Sequence, residues 1–377
     1  MDFKSNLFPA RATLAAAALA VTLCAGLVAA DDDLQGRRAS AFELYDQGRY
    51  AEARPLLERL EADGPADGVL LYRLYYCQRV ANDAAARGTL DRARGLLEKE
   101  LDGAADLEIP FYLANAYRNA GRLSDARGVA ARTTERVESG ELTEPADGFE
   151  MFRLGKLYAD QERVAEASDW YARSLELLAD DESGGAGPYV AWAARYLSER
   201  AWDDEDYESS AEYLGLIVAG GGGSAADLDR LAVANCRLER YGEAKMAWKR
   251  AEKLDPATAN RPRYAWHLAE QAEEIGRLPG TAPDGRPWAE LSKAELEQLL
   301  LDQAQVVGEA MTEVEESQKL KKKRRKQLQR GIDAARPIFF RAGLEYVLRG
   351  YGIRETAFFG GYAPLIFHSD KWKLPSP

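Results

Sequence analysis

The sequence has few of the residues on which enzymes most often depend for catalysis. Its 377 residues include 2 histidines and 3 cysteines. None of the H-E-x-x-H, C-x-x-C, G-x-S-x-G or Walker patterns is present. Neither His267 nor His368 has a full set of metal-ligating residues close by in sequence, so we expect structural roles for both. We therefore predict a protein that is not an enzyme and needs no cofactor or metal.

Long apolar runs are absent after residue 30. Before that point, Lys4 and Arg11 precede an Ala-, Leu- and Val-rich run that ends in small residues just ahead of Asp31. This pattern is typical of a secretory signal peptide at residues 1–30, cleaved after Ala30. The alternative is an uncleaved membrane anchor. Either way we expect an exported protein of the bacterial periplasm or cell envelope.

Cysteine is scarce in the rest of the chain and positive charge is outnumbered by negative charge, and each fact excludes a class of protein. Beyond the N-terminal segment only Cys77 and Cys236 remain, which is too few for a disulfide framework. The net charge is -12 and the pI about 5.0, so the overall field repels phosphate groups. We therefore expect no nucleic-acid partner.

A pattern of small and bulky residues recurs along residues 39–260. Around Ala53 and Ala244, a Tyr lies three residues before, a Leu or Trp four residues after, and a Pro twelve residues after. The small residues let two helices approach, the bulky ones fill the gap between them, and the proline ends the second helix. Each copy therefore predicts a helical hairpin that must stack on its neighbours. Further copies centre on Ala93, Ala126, Ala167 and Ala211.

This pattern resembles the tetratricopeptide repeat family. The resemblance implies an all-α fold, with a solenoid of about six helical hairpins and a capping helix over residues 31–275. Successive anchor alanines lie 33 to 44 residues apart, whereas the family repeat is about 34 residues long. The extra residues fall in Gly- and Pro-containing stretches that predict loops.

The resemblance also implies that the first helix of each hairpin lines a concave groove for extended peptides. Asn side chains can hydrogen-bond a peptide backbone, and Arg can hold a carboxylate with two bonds. We therefore predict a protein or peptide partner, with an acidic or carboxylate-terminated segment in the groove. The alternative is that these residues are only the solvent-exposed polar side of each helix. The predicted groove residues are Arg38, Tyr75, Asn82, Phe111, Asn115, Arg118, Asn119, Phe152, Lys156, Tyr196 and Arg200, with Phe42, Tyr45, Gln78 and Arg237 on the same stripe.

The sequence after the repeats changes character. Residues 276–287 are rich in Pro and Gly and predict a linker. Ser292 and Glu295 form a capping box, which predicts one long charged helix within residues 288–336, ending near Ala335. Leu300 and Val307 begin a seven-residue repeat, so this helix should pack against another.

The segment KLKKKRRKQLQR, residues 319–330, holds eight basic residues and no acidic one. Placed late in a helix whose early part is acidic, it would suit the helix dipole. It could also meet anionic lipid, an acidic partner, or a second copy of the chain. We define the basic segment as its core: Lys321, Lys322, Lys323, Arg324, Arg325 and Lys326.

Residues 337–377 contain nine aromatic residues and predict a small folded module of unassigned role. The function that fits the whole sequence is a non-catalytic scaffold or assembly factor of the cell envelope. One alternative is a structural envelope protein held to anionic membranes by the basic segment. The other is an enzyme with a site around His368, Asp370 and Trp372.

Overall fold

The computed structural model describes residues 34–179, 186–256, 260–316, 321–351, 364–366 and 369–374. The predicted signal peptide and much of the C-terminal module, His368 included, lie outside these residues. No helix in the described ranges is both long and apolar enough to cross a membrane. The chain divides into two compact units, Met1–Ala193 (unit 1) and Ala194–Pro377 (unit 2).

Unit 1 is a stack of helical hairpins. The anchor residues Ala53, Ala93, Ala126 and Ala167 are all buried between the two helices of their hairpins. This confirms the all-α hairpin fold predicted from the sequence. Its helices are α1 (residues 34–46), α2 (Tyr50–Asp63), α3 (Gly68–Val80), α4 (Ala86–Glu100), α5 (Glu108–Asn119), α6 (Leu123–Glu138), α7 (Gly148–Asp160), α8 (Val164–Leu178) and the first turns of α9 (Gly187–Asp203).

Unit 2 continues the hairpin pattern and then adds a different helical pair. Ala211 and Ala244 are again buried, and α13 packs against both α12 and α15. Its helices are the rest of α9, α10 (Tyr207–Ala219), α11 (Ala225–Arg237), α12 (Tyr241–Leu254), α13 (Asn260–Ile275), α14 (Lys293–Glu316) and α15 (Lys322–Leu348). The boundary between the units lies inside α9, whereas the sequence analysis predicted a linker at residues 276–287. Within that stretch Leu278 and Ala282 are buried in the core of unit 2.

The first helix of each of the six hairpins ends in the same turn. One residue adopts a left-handed conformation, with φ between 54° and 76°. The amide of the next residue donates to the carbonyl five positions earlier, at 2.8–3.1 Å. This is the Schellman motif, which satisfies carbonyls that the helix end would leave unpaired. The left-handed residues are Gly48, Asn82, Gly121, Glu162, Glu205 and Glu239.

The structure corrects the prediction of one long charged helix. The acidic and basic parts form two separate helices, α14 and α15, that pack side by side. Lys321 has an extended backbone, with φ -59° and ψ 136°, and α15 begins at the next residue. Leu300 and Val307 are buried, as the seven-residue repeat predicted, and α15 is the helix packed against α14.

The basic segment therefore lies at the N-terminal end of α15. At that end the helix dipole is positive, so it opposes the basic side chains. The predicted favourable interaction with the dipole is wrong. Arg324 instead pairs across to Glu313 of α14, with Nε 2.8 Å from Oε1.

Three aromatic residues of the predicted C-terminal module, Phe339, Phe340 and Tyr346, belong to α15 itself. Phe339 and Phe340 are buried, and the Trp372 ring lies 5.3 and 5.4 Å from their rings. The Trp372 indole Nε1 donates to the Leu365 carbonyl at 2.9 Å, so this tryptophan is a packing residue. Asp370 is exposed beside it.

The two cysteines of the described chain lie one in each unit. Cys77 is buried in α3 and Cys236 is buried in α11, and both are free thiols. Burial raises the pKa of Cys77 to about 12 and also raises the pKa of Cys236. Both therefore behave as small apolar core residues.

Candidate functional site

Unit 1 contains a cavity of about 280 Å³ on the side formed by α1, α3, α5, α7 and the start of α9. We call this side the inner face. Most of the lining is aromatic, and the rest is mainly polar or positively charged. The aromatic lining residues are Tyr45, Tyr50, Tyr72, Tyr76, Phe111, Tyr112, Phe152, Tyr189 and Trp192; the others are Asp46, Arg79, Asn115, Arg118, Asn119, Lys156 and Pro188.

Helical spacing explains why α5 and α7 supply so much of the lining. Residues three, four, seven or eight positions apart share one face of a helix. On α5 this aligns Phe111, Asn115 and Arg118, and on α7 it aligns Phe152 and Lys156. The opposite faces of both helices carry buried apolar residues that pack within the hairpins.

The start of α9 closes the cavity against the end of α1. The Tyr189 hydroxyl donates to Asp46 Oδ1 at 2.8 Å, and Arg73 Nη1 lies 3.0 Å from Asp46 Oδ2. Desolvation raises the pKa of Tyr189 well above its ordinary value, so the hydroxyl keeps its proton and remains a donor. Pro188 packs beside Gly48 at the end of α1, where a Cβ would lie 3.6 Å from the proline Cγ. The first and last helices of the inner face are thus joined directly.

A buried charge cluster forms one wall of the cavity. Lys156 Nζ lies 2.5 Å from Asp160 Oδ1, and Arg118 pairs with the other carboxylate oxygen. Arg118 Nη1 also donates to Asn115 Oδ1 at 2.7 Å. Two basic side chains therefore share one carboxylate. Burial, followed by the positive charge of Arg118, lowers the pKa of Lys156 to about 6, while the Asp160 carboxylate beside it favours its protonated form. When Lys156 is protonated, the cluster carries an excess positive charge.

A third basic side chain, Arg79, is held by a chain of hydrogen bonds. Arg79 Nη1 donates to Asn119 Oδ1 at 2.8 Å, and Asn119 Nδ2 donates to the Tyr72 hydroxyl at 2.8 Å. The Arg79 guanidinium also lies over the Tyr76 ring, 4.6 Å from its centroid. These contacts fix the amide of Asn119 and the direction of Arg79 without placing an acid beside them.

A buried arginine lies behind the aromatic lining. Arg73 is held between Phe42 and Tyr45, with its guanidinium carbon 4.0 and 5.0 Å from the two ring centroids. It donates to the Phe42 carbonyl at 3.2 Å and pairs with Asp46. Its charge is compensated within the protein, so its role is to hold the wall in place.

The structure brings seven residues of the predicted groove stripe around the cavity and places the others elsewhere. Tyr75 is buried in α3, and Asn82 occupies the left-handed turn after it. Arg38, in α1, pairs with Asp67, the residue just before α3. Tyr196 and Arg200 belong to unit 2, where the guanidinium lies 5.7 Å from the tyrosine ring. The seven lining residues are Tyr45, Phe111, Asn115, Arg118, Asn119, Phe152 and Lys156.

Sequence reasoning missed several lining residues. Tyr72, Tyr76 and Arg79 flank the predicted stripe on α3, and a broader helical face would have included them. Tyr189 and Trp192 stand at the start of α9, seven and four residues before the predicted groove residue Tyr196, and the predicted stripe was not extended back to them. Their role depends on the contact with α1, which the local sequence does not encode.

The other candidate sites are less organised. Lys322, Lys323 and Lys326 are exposed on α15. In the part of the chain that the structure describes, no group of three or more His, Cys, Asp or Glu side chains could hold a metal ion. The cavity of unit 1 is therefore the site with the most developed chemistry.

Comparison with known proteins gives likenesses of fold only. No family model matches the sequence, and no curated protein matches it. Among solved structures, Pseudomonas aeruginosa pilF is 14% identical, with 60% of this chain and 94% of that chain covered and a TM-score of 0.40. YrrB, a TPR protein described as having an unusual peptide-binding site, is 14% identical, with coverages of 58% and 97% and a TM-score of 0.34.

The TPR2AB domain of yeast Sti1, in complex with pHSP90, is 15% identical, with coverages of 68% and 92% and a TM-score of 0.22. The architecture of the present chain rests on its own features: stacked hairpins, buried anchor alanines and a shared turn. By these features the chain has a fold of stacked helical hairpins that resembles the tetratricopeptide repeat.

Proposed function

We propose that this chain is a non-catalytic scaffold or assembly factor that binds a protein partner on the inner face of unit 1. The observation that carries the proposal is the cavity, which combines aromatic rings with cations that the protein does not fully neutralise. Partly exposed aromatic and Arg side chains are the residues that most often dominate binding energy at protein interfaces.

The polar part of the cavity favours an acidic or carboxylate-bearing segment of the partner. Arg118 and Lys156 share Asp160, so an incoming carboxylate would complete the charge balance. Charge-assisted hydrogen bonds of this kind are stronger than neutral ones, especially where water is excluded. Arg79, which has no acid beside it in the hydrogen-bonded chain, adds to the attraction.

Capture of partners by crosslinking and pulldown from the native envelope tests the proposal. The variant should remove the charge cluster as a whole, as Arg118→Leu with Lys156→Met and Asp160→Asn, because no buried charge is then left unpaired. The control is Arg122→Gln with Asp125→Asn, an exposed pair on α6. Partner recovery should fall several-fold for the first variant alone. Equal recovery from both, with unchanged helical spectra, rejects the proposal.

The same proposal includes export to the bacterial cell envelope, which rests on the signal-like pattern of residues 1–30. Amino-terminal sequencing of protein from the periplasmic fraction should begin at Asp31. Recovery of the uncleaved chain from the cytoplasm contradicts export.

A second candidate function is attachment to anionic membrane surfaces through the basic segment. Lys322 and Lys323 are exposed in the first turn of α15, where the helix dipole adds to the positive potential. Clustered Lys and Arg each add about 1 kcal/mol of attraction near such a surface. Co-sedimentation with phosphatidylglycerol vesicles should be lost at high salt and when residues 321–326 are changed to Gln. Sedimentation unaffected by either change excludes this function.

A further inference from the structure

The cavity is sized and lined for a single large side chain. Its volume of about 280 Å³ lies at the lower limit of ordinary ligand pockets, about 300–1,000 Å³. A long extended peptide would not fit inside it, although one residue of such a peptide would. The contact between Tyr189 and Asp46 closes one side and limits the space further.

The aromatic rings around the cavity form a connected array. Phe152 lies edge-to-face with Tyr189 at 5.1 Å and with Trp192 at 6.1 Å between ring centroids. Tyr72 and Tyr112 lie 5.1 Å apart on the other side. Trp192 stays 43% exposed, which is high for so large an apolar side chain with so many ring neighbours. An entering aromatic ring would extend this array in the edge-to-face geometry that such rings prefer.

A polar group in the lining lacks a partner. Tyr112 is only 2% exposed, and within the described ranges its hydroxyl has no hydrogen-bond partner. A buried hydroxyl without a hydrogen bond is unfavourable. A polar atom on a bound ligand could pair with it, so the Tyr112 hydroxyl favours binding of a ligand that carries one.

Positive charge stands directly beside the aromatic wall. Lys156 Nζ lies 5.1 Å from the centroid of the Trp192 ring, and Arg118 shares its carboxylate. A cationic ligand is disfavoured by these two side chains and by Arg79 at the opposite wall. A ligand that fits this site therefore carries its negative charge close to its aromatic ring.

We infer that unit 1 binds its partner through one aromatic residue whose ring enters this cavity while an adjacent carboxylate meets Arg118 and Lys156. This inference rests on the proposed function and names the residue pair that the site selects. The carboxylate has two sources of the same chemistry, the C-terminus of the partner or a neighbouring Asp or Glu.

Fluorescence anisotropy with short labelled Gly/Ser peptides and the purified full chain tests the inference. One peptide ends in Phe with a free carboxylate, the second is its amide, the third carries Phe followed by Asp before an amide, and the fourth has Ala for Phe. Replacing Phe by Ala should weaken binding about tenfold to a hundredfold, from the apolar area no longer buried. The first three peptides distinguish the two sources of the carboxylate.

Trp192→Ala should weaken the Phe peptide about tenfold, and Trp192→Phe should recover part of that loss. The matched control is Leu177→Ala, a side chain 51% exposed on α8 outside the lining, which should bind as the wild type does. Equal affinity for the Phe and Ala peptides, or no saturable binding of either, overturns the inference. The proposed function fails separately, if partner capture is insensitive to the change at Arg118, Lys156 and Asp160.

Discussion

A single carboxylate, that of Asp160, pairs with two basic side chains in the wall of the cavity. Its side chain is only 7% exposed, so water contributes little to its stabilisation or to that of its partners. Removing one partner of a buried ion pair leaves an uncompensated charge in the interior. This destabilises the fold more than replacing both partners with uncharged residues does.

Asp160→Asn is therefore expected to lower the free energy of unfolding by about 3 kcal/mol, measured by urea denaturation. Lys156→Met should cost less, because Arg118 and Asp160 then form a balanced pair. Asp125→Asn, in an exposed pair with Arg122, is the control and should cost less than about 1 kcal/mol. A loss at Asp160 no larger than the loss at Asp125 contradicts the buried-cluster account.

At the same scale, the local sequence predicts some site residues and not others. Phe111, Asn115 and Arg118 follow from helical spacing, because their direction depends only on the helix that carries them. Arg73 does not, since a sequence reader expects an arginine at the surface. Its burial depends on Asp46, 27 positions earlier in the chain.

Among the helices, the six shared turns are the feature that most clearly defines the repeat. Three of them place Glu in the left-handed conformation, which suits Gly better because a side chain there costs about 1 kcal/mol. The sequence showed Gly48 and Gly121 at this position but gave no sign that the Glu residues share their backbone geometry.

Glu205→Gly should therefore raise the unfolding free energy by about 1 kcal/mol. The matched control is Glu212→Gly, the same change inside α10, which should lower it by about 1 kcal/mol. Thermal denaturation of the two variants gives the signs directly. Destabilisation by both changes means that the turn is not under the expected strain.

The hairpin of α3 and α4 depends on a close approach at Gly68. A Cβ there would lie 2.5 Å from Leu97 Cγ and 2.8 Å from the Leu97 backbone nitrogen. Gly68→Ala should cost about 1–3 kcal/mol, because the two helices must move apart. Gly95→Ala in α4 meets nothing within 4 Å and should be neutral or stabilising by up to about 1 kcal/mol. Chemical denaturation of both variants tests this, and equal effects contradict it.

Considered as a whole molecule, the chain shows which features short-range patterns encode. The anchor alanines predicted the stacked hairpins correctly, since each anchor and its bulky partners lie within about one hairpin of sequence. The break between α14 and α15 was missed because no Pro or Gly marks residues 309–330. The closure of the cavity by Tyr189 and Asp46 spans 143 positions, beyond the reach of any local pattern.

The placement of the two free cysteines has a practical consequence at this same scale. Cys77 lies in unit 1 and Cys236 in unit 2, and both thiols react only when their surroundings open, because the thiolate is the reactive form. Alkylation of the native protein, followed by mass spectrometry of the two cysteine peptides, should thus time the opening of each unit separately. The two native cysteines therefore report the opening rate of each unit without an engineered label.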